Sequence, residues 1–370
     1  MVDLTSQYEK IKTEINAGIQ EVIDSTAFIK GGKVNDFQHD LEAYLGVKHV
    51  IPVGNGTDAL QIALMALDLK PGDEVITPTF TFIATAEVVA LLGLTPVLVD
   101  VDFDTFNISI DALKKAITPK TKAIVPVHLF GQNADMESIL AIAKENNLYV
   151  IEDACQSIGS TYTFTDGREL HSGCMGEIGC TSFFPSKNLG CFGDGGAIFT
   201  NNDALAAKMR AISNHGMVVR YYHDVVGVNS RLDSIQGAVL QVKLKYLNDY
   251  IKNRQYAANF YNTSFYGNPK ITIPSQTKKS THVFHQYTLK LNGVDRAELI
   301  KYLSSKGIPA MVYYPVPLHL QKAYMNSRYK AGDFPSAEKL SDCVVSLPMH
   351  TELSDEQLNY ITNSVLEFLN

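Results

Sequence analysis

Between residues 74 and 153 the chain repeats one pattern: a short apolar run, a helical segment, then another short apolar run. The runs are Glu74–Thr77, Pro96–Asp100, Ala123–His128 and Leu148–Asp153. A half-exposed antiparallel strand alternates apolar and polar side chains, whereas a parallel strand covered on both faces is apolar throughout. Helices fit between the runs at Thr85 to Leu92, from the cap Ser109 through Ile117, and at Ser138 to Lys144 behind the cap Asp135. This alternation predicts a mostly parallel sheet between two layers of helices. Ligands of such sheets bind beyond the carboxyl ends of the strands.

The flanks extend the pattern. Leu4, Tyr8, Ile11, Ile15, Ile19 and Val22 recur at helical spacing, and Phe37, Leu41, Tyr44 and Leu45 mark a second helix. Gly54-Asn55-Gly56-Thr57 is a turn that opens another helix, with Thr57 as its expected N-cap. After Ala197–Thr200 the spacing predicts a helix over Ala204–Ile212 and one long helix from Asp233 to Tyr261. Beyond it, His285–Leu289 and Ala310–Tyr314 read as strands, with helices at Ala297–Ser304, Ala337–Cys343 and Asp355–Leu369. At 370 residues the chain exceeds one usual domain. The expected organisation is therefore α/β throughout: a large domain over 1–250 and a smaller C-terminal α/β domain over 251–370.

Composition excludes several functions. The net charge is −7 and no basic run occurs, which argues against nonspecific nucleic-acid binding. No apolar stretch approaches the length of a bilayer, and the N-terminus lacks the basic and apolar regions of a signal peptide. The five cysteines are odd in number and contain no C-x-x-C, so neither a disulfide framework nor a zinc site is expected. These features predict a soluble cytoplasmic protein with no metal, membrane or nucleic-acid partner.

Three stretches carry the chemistry. Lys187 stands alone in Ser182-Phe183-Phe184-Pro185-Ser186-Lys187, and glycines at 190, 193, 195 and 196 follow it. Asp153 ends the apolar strand Leu148–Asp153, where a buried carboxylate needs a partner. The turn Gly54–Thr57 offers N–H groups and a helix dipole to an anion, but it is neither a P-loop nor G-x-G-x-x-G. Singly, each has an ordinary explanation: a surface lysine, a helix cap, a structural turn. Together they describe a pyridoxal 5'-phosphate (PLP) site, with a lysine for a Schiff base, an acid for the ring nitrogen and a helix end for the phosphate.

With these residues in place, the chain resembles the DegT/DnrJ/EryC1/StrS sugar-nucleotide aminotransferases. The matching stretches are Gly54–Leu60, Thr81–Thr85, Glu152–Gln156, Ser182–Gly190, Gly193–Gly196 and Gly227–Asp233, in family order. The resemblance implies the aspartate aminotransferase fold (fold type I) and a homodimer with shared active sites. By the same likeness Lys187 is the Schiff-base lysine and Asp153 the pyridinium partner. Phe82 stacks on the ring, Gln156 approaches its hydroxyl, and Gly56, Thr57 and Ser182 hold the phosphate. Asn229 reaches that phosphate from the neighbouring subunit. The turn after Lys187 resembles members that aminate C3 of the sugar, with L-glutamate as donor. The wording around Lys187 is most like the branch acting on UDP-linked 3-keto-N-acetylglucosaminuronic acid in surface polysaccharide biosynthesis. Arg231 would pair with the uronate or phosphate, and Tyr313, Tyr314 and His319 would contact the sugar. That branch often has His-Tyr-Pro where this chain has Tyr313-Tyr314-Pro315. The alternatives are a dTDP-3-keto-6-deoxyhexose aminotransferase, a C4 aminotransferase, a sugar dehydratase and a non-catalytic regulatory homologue. Dehydratases resemble this chain but place histidine at the Lys187 position. His128 reads as a core residue or as one that supports the site from behind.

Overall fold

A computed structural model of the chain describes residues 1–325 and 328–370. Helix α1 (Leu4–Ser25) buries Ile11, Ile15 and Val22, and Asp3 caps it by accepting a hydrogen bond from the Ser6 N–H at 2.9 Å. Helix α2 (Gly32–Leu45) buries Val34, Phe37, Leu41 and Leu45. Strand β1 (His49–Val53) then leads into α3 (Gly56–Ala66). The cap of α3 is Asn55, not the expected Thr57. The Asn55 side chain accepts from the Asp58 N–H at 2.8 Å, which places Thr57 inside the first turn.

The alternating region forms as its apolar runs require, except that the strand expected over Ala123–His128 lies at Thr121–Ile124, with Val127 only bridging Asp153 beyond it. It comprises β2 (Glu74–Pro78), α4 (Ala84–Leu91), β3 (Thr95–Val99), α5 (Ile110–Ala116), β4 (Thr121–Ile124), α6 (Met136–Asn146) and β5 (Tyr149–Asp153). Ser109 and Asp135 cap α5 and α6 as expected, accepting from the Ala112 and Ser138 N–H groups. A short hairpin, β6 (Thr161–Thr163) and β7 (Glu169–His171), precedes β8 (Ile178–Ser182) and β9 (Gly196–Thr200). Next come α7 (Asp203–Ile212), α8 (Ser234–Lys245) and α9 (Leu247–Phe265). The expected single helix over Asp233–Tyr261 is thus two, broken at Tyr246, where φ is −100° and ψ −1°. No glycine or proline marks the break; the Tyr246 hydroxyl donates instead to Glu14 on α1.

The chain ends with β10 (Ile271–Thr272), β11 (Tyr287–Leu291), α10 (Arg296–Ser305), α11 (Pro335–Cys343), β12 (Val344–Leu347) and α12 (Asp355–Leu369). The strand expected over Ala310–Tyr314 reduces to one bridge between Met311 and Ser346. Pro309, Pro315 and Pro317 flank it, and proline cannot donate to a ladder.

Seven strands form the main sheet in the order β1-β9-β8-β5-β4-β2-β3. The pairs β2–β3, β2–β4, β4–β5 and β5–β8 are parallel, and β9 runs antiparallel to both of its neighbours. On one face Leu60, Val88, Ile151, Ile178, Ile198 and Met209 pack together. The other face is covered in two patches, one around Phe37, Phe199 and Leu240 and one around Met136, Ile139 and Val150. Ile151, Ile178 and Ile198 are fully buried, and each contributes about 1.5–3 kcal/mol by leaving water. This double covering explains why the strands read as unbroken apolar runs. A second, three-stranded antiparallel sheet (β10-β11-β12) has its own core of Tyr261, Phe265, Leu289, Leu303, Val345 and Leu358.

Candidate active site

The carboxyl ends of β5 and β8 meet the N-terminus of α3 at a cavity of about 620 Å³. Gly56, Thr57, Phe82, Asp153, Gln156, Ser182, Lys187, Tyr313 and Tyr314 line it, so most of the residues singled out in the sequence converge there. Two glycines make the convergence possible. A Cβ on Gly56 would lie 2.8 Å from the Ser182 Cβ and 2.9 Å from the Cys155 Sγ. A Cβ on Gly196 would lie 2.5 Å from the Asn55 backbone, so β9 could not pass beneath the start of α3. The open end of that helix, with Gly56 and Thr57 in its first turn, faces the cavity beside Ser182.

Asp153 is buried, with 6% exposure, and both carboxylate oxygens are held. Oδ2 accepts from the Thr85 hydroxyl at 2.8 Å, and Oδ1 accepts from the Cys155 N–H at 3.2 Å. Gln156 is fixed from both ends: the Phe130 N–H donates to its Oε1 at 2.9 Å, and its Nε2 donates to the Tyr314 hydroxyl at 3.0 Å. Lys187 has neither a hydrogen bond from its side chain nor an ion pair among the described residues. Burial pushes its pKa below the ordinary lysine value, while Cys155 and Asp153 pull the other way. Burial, with Asp153 next, holds the Cys155 thiol well above its usual range, so it stays protonated. Phe82 is 55% exposed, an apolar ring left open on the cavity. An electrophilic, anionic, flat cofactor fits this set: an unpaired amine of lowered basicity, a fixed carboxylate, an anion-binding helix end and an open aromatic face.

Three expected residues lie elsewhere. Asn229 is exposed and outside the cavity of its own chain, on a segment bridged to Asn214. Arg231 is half-buried near Lys30, whose pKa is lowered by burial first and by Arg231 second. His319, expected beside the sugar, is 1% exposed and tied to structure: its Nδ1 bonds the Thr79 hydroxyl at 2.9 Å and its Nε2 donates to Glu338 at 3.1 Å. His128 is a core residue, as expected. Its Nδ1 accepts from the Ala134 N–H, so Nε2 donates to the buried Glu152 at 2.8 Å. Glu152 also accepts from the N–H groups of Gly173, Met175 and Gly176, which fixes the strand end that carries Asp153.

Sequence reasoning missed Thr85 and His285. Thr85 ends the matching stretch Thr81–Thr85 at the start of α4, but nothing local assigns it a role. His285 precedes an apolar strand, an unusual place for a histidine, yet it lines the cavity.

Comparison with known proteins agrees with this geometry. Residues 9–366 match the DegT/DnrJ/EryC1/StrS aminotransferase family. A relative named pleiotropic regulatory protein, from Geobacillus stearothermophilus, is 48% identical and is matched over 100% of this chain and 98% of its own. UDP-2-acetamido-2-deoxy-3-oxo-D-glucuronate aminotransferase of Pseudomonas aeruginosa is 45% identical, over 97% of each chain. Among solved structures, a DegT DnrJ EryC1 StrS aminotransferase from Brucella abortus superposes with a TM-score of 0.94 at 40% identity, covering 99% of this chain and 98% of its own. NtdA from Bacillus subtilis, solved with bound cofactor PMP, gives a TM-score of 0.89 at 34% identity over 97% of this chain and 82% of its own.

Proposed function

This chain belongs to the DegT/DnrJ/EryC1/StrS aminotransferase family, and from that premise we propose that it is a PLP enzyme that moves the amino group of L-glutamate to C3 of a nucleotide-linked 3-keto sugar. UDP-2-acetamido-3-keto-glucuronate is the preferred acceptor. The observation that carries the reading is the meeting of unpaired Lys187 and doubly held Asp153 in one cavity beside the N-terminus of α3.

Lys187 would hold the cofactor covalently and Asp153 would face its ring nitrogen. Gly56, Thr57 and Ser182 would bind the phosphate, Phe82 the ring face and Gln156 the ring hydroxyl. When bound, PLP supplies an electron sink for the pair released as a proton leaves the amino-bearing carbon. The protein's own part is orientation and proton movement. Thr85 and the Cys155 N–H keep Asp153 from turning away. The Lys187 amine, lowered in basicity by burial, is suited to take that proton and return it.

The substrate reading rests on further features. The glycine-rich turn Gly193–Gly196 after Lys187 is of the C3 type, and a relative 45% identical carries a 3-oxo-glucuronate name. Arg231 and Lys30 form a pair of cations with no carboxylate partner among the described residues, which suits a diphosphate or uronate. The shared-site homodimer is supported by the segment holding Val218, Val219, Tyr221, Tyr222 and Val226, all at least 60% exposed. Asn229, just beyond it, is not among the residues lining the cavity of its own chain, which suits a role across a dimer interface. The core spanning Ala257 to Leu369 supports a division into domains over 1–250 and 251–370. The five free cysteines suit the cytoplasm, and no helix among the described residues is long and apolar enough to cross a membrane.

A panel of UDP- and dTDP-linked keto sugars, with glutamate as donor and mass spectrometry of the products, tests the proposal. Amination of UDP-linked 3-keto sugars is expected. Turnover of 4-keto sugars in preference would overturn the regiochemistry, and exclusive turnover of dTDP-6-deoxy sugars would remove the uronate.

A further inference from the structure

Most polar side chains deep in the cavity are already committed to partners in the protein. Both oxygens of Asp153 and both ends of Gln156 are bonded, and Asn55 caps α3. Lining side chains without such a bond, such as Thr57, Gln286 and Tyr313, are half-buried. His285 differs from both groups: it lines the cavity at 7% exposure and makes no side-chain hydrogen bond or ion pair among the described residues. Its Nδ1 is sealed from solvent with no partner. A buried nitrogen left unbonded is costly unless something else compensates.

The backbone around this ring is clamped. Arg254, buried behind it, donates from Nη1 to the carbonyls of Phe284 at 3.1 Å, His285 at 3.4 Å and Met349 at 3.2 Å. The Val283 N–H donates to the Gly131 carbonyl at 2.9 Å, and a Cβ on Gly131 would lie 3.0 Å from the backbone nitrogen of His285. The loop before β11 is therefore locked against the turn that carries Phe130. The charged groups acting on the ring are Lys187 and Arg254, both cations. Burial first, and then these two charges, hold the imidazole neutral well below its ordinary range.

A neutral imidazole carries one proton. On Nδ1 it would be a sealed donor with no acceptor, so Nε2–H is the better tautomer, and its partner must come from the contents of the cavity. We propose that His285 is a specificity-determining residue that donates its Nε2–H to an uncharged oxygen of the acceptor sugar. The proposal rests on the sugar aminotransferase reading above. An uncharged donor suits a hydroxyl or keto oxygen, whereas the carboxylates of glutamate call for cations.

The test compares His285→Gln, whose amide nitrogen overlays Nε2, with His285→Asn, whose polar group overlays Nδ1, and His285→Phe. Each holoenzyme is assayed separately with glutamate and with the keto sugar, and calorimetry reports folding. Expected is near wild-type behaviour for Gln, while Asn and Phe raise KM for the sugar about two- to twelvefold, the range of one neutral hydrogen bond. The glutamate half-reaction should be unchanged. Equal effects of all three variants, or equal loss in both half-reactions, would overturn the assignment. So would the disappearance in His285→Gln of an acid limb near pH 6.5, since the wild-type ring carries no charge to lose there. Nitrogen-15 NMR of the imidazole in the holoenzyme reads the tautomer without any substrate, and an Nδ1–H or doubly protonated ring would refute it. If wild-type protein aminates no keto sugar, the functional reading fails in the control arm, separately from the behaviour of His285.

Discussion

Thr85→Val removes one oxygen from the site and nothing else of size. The Thr85 side chain is 1% exposed and donates to Asp153 Oδ2 at 2.8 Å; Asp153 is 6% exposed. A hydrogen bond to a buried carboxylate contributes about 1.5–3 kcal/mol, because losing it leaves charge without its donor. The remaining donor, the Cys155 N–H, is longer at 3.2 Å and serves the other oxygen, so it cannot take over. A double-mutant cycle isolates the bond: Thr85→Val, Asp153→Ala and the pair, with stability read from urea unfolding at neutral pH. Thr85→Val alone should cost about 1.5–3 kcal/mol, and the same change on Asp153→Ala should cost clearly less, only the longer bond from the Thr85 hydroxyl to the Phe82 carbonyl, at 3.3 Å, remaining to be lost. Thr85→Ser keeps the hydroxyl and should retain most of the coupling. A coupling energy under about 0.5 kcal/mol, or a serine variant as damaged as the valine one, would refute the claim that Thr85 holds Asp153 in place.

Two further outcomes follow from the site and its surroundings. Mixing Lys187→Ala subunits with subunits carrying both Asn229→Ala and Arg231→Ala should restore activity, since one site of each mixed dimer regains every residue; no recovery despite proven subunit exchange would refute shared sites. Burial pushes His282 from 6.5 down to about 3. The unfolded chain therefore binds a proton that the folded one refuses, and stability is lost as pH falls below 6.5, by at most about 1.4 kcal/mol per pH unit from this ring. His282→Asn keeps an acceptor for the Phe284 N–H, which now donates to Nδ1 at 3.0 Å, and should flatten that slope; an unchanged slope between pH 6.5 and about 5 would refute it.

What could be read from the sequence depended on how far away the deciding partner lies. The strands β2 to β5 were legible because burial on both faces leaves a continuous apolar run, and the caps Ser109 and Asp135 because a cap acts within three residues. The break at Tyr246 was not legible, since its partner Glu14 is 232 residues away and no glycine or proline announces it. The same distance rule governs the site. Lys187, Asp153 and the turn before α3 each carry a local signature, and all three meet in the cavity. Thr85 and Asp153 are 68 residues apart, and nothing local ties the hydroxyl to the acid. His319 looked like a sugar contact until Thr79, 240 residues away, and Glu338 claimed both of its ring nitrogens. His285 received no role from the sequence, and the fold leaves its Nδ1 without a hydrogen-bond partner among the described residues. Two histidines thus part ways through their partners. A buried polar group whose atoms are all spoken for holds the fold, and one that the fold leaves open on a cavity is kept for a ligand. By that criterion the place to look for sugar recognition in this chain moves from His319 to His285.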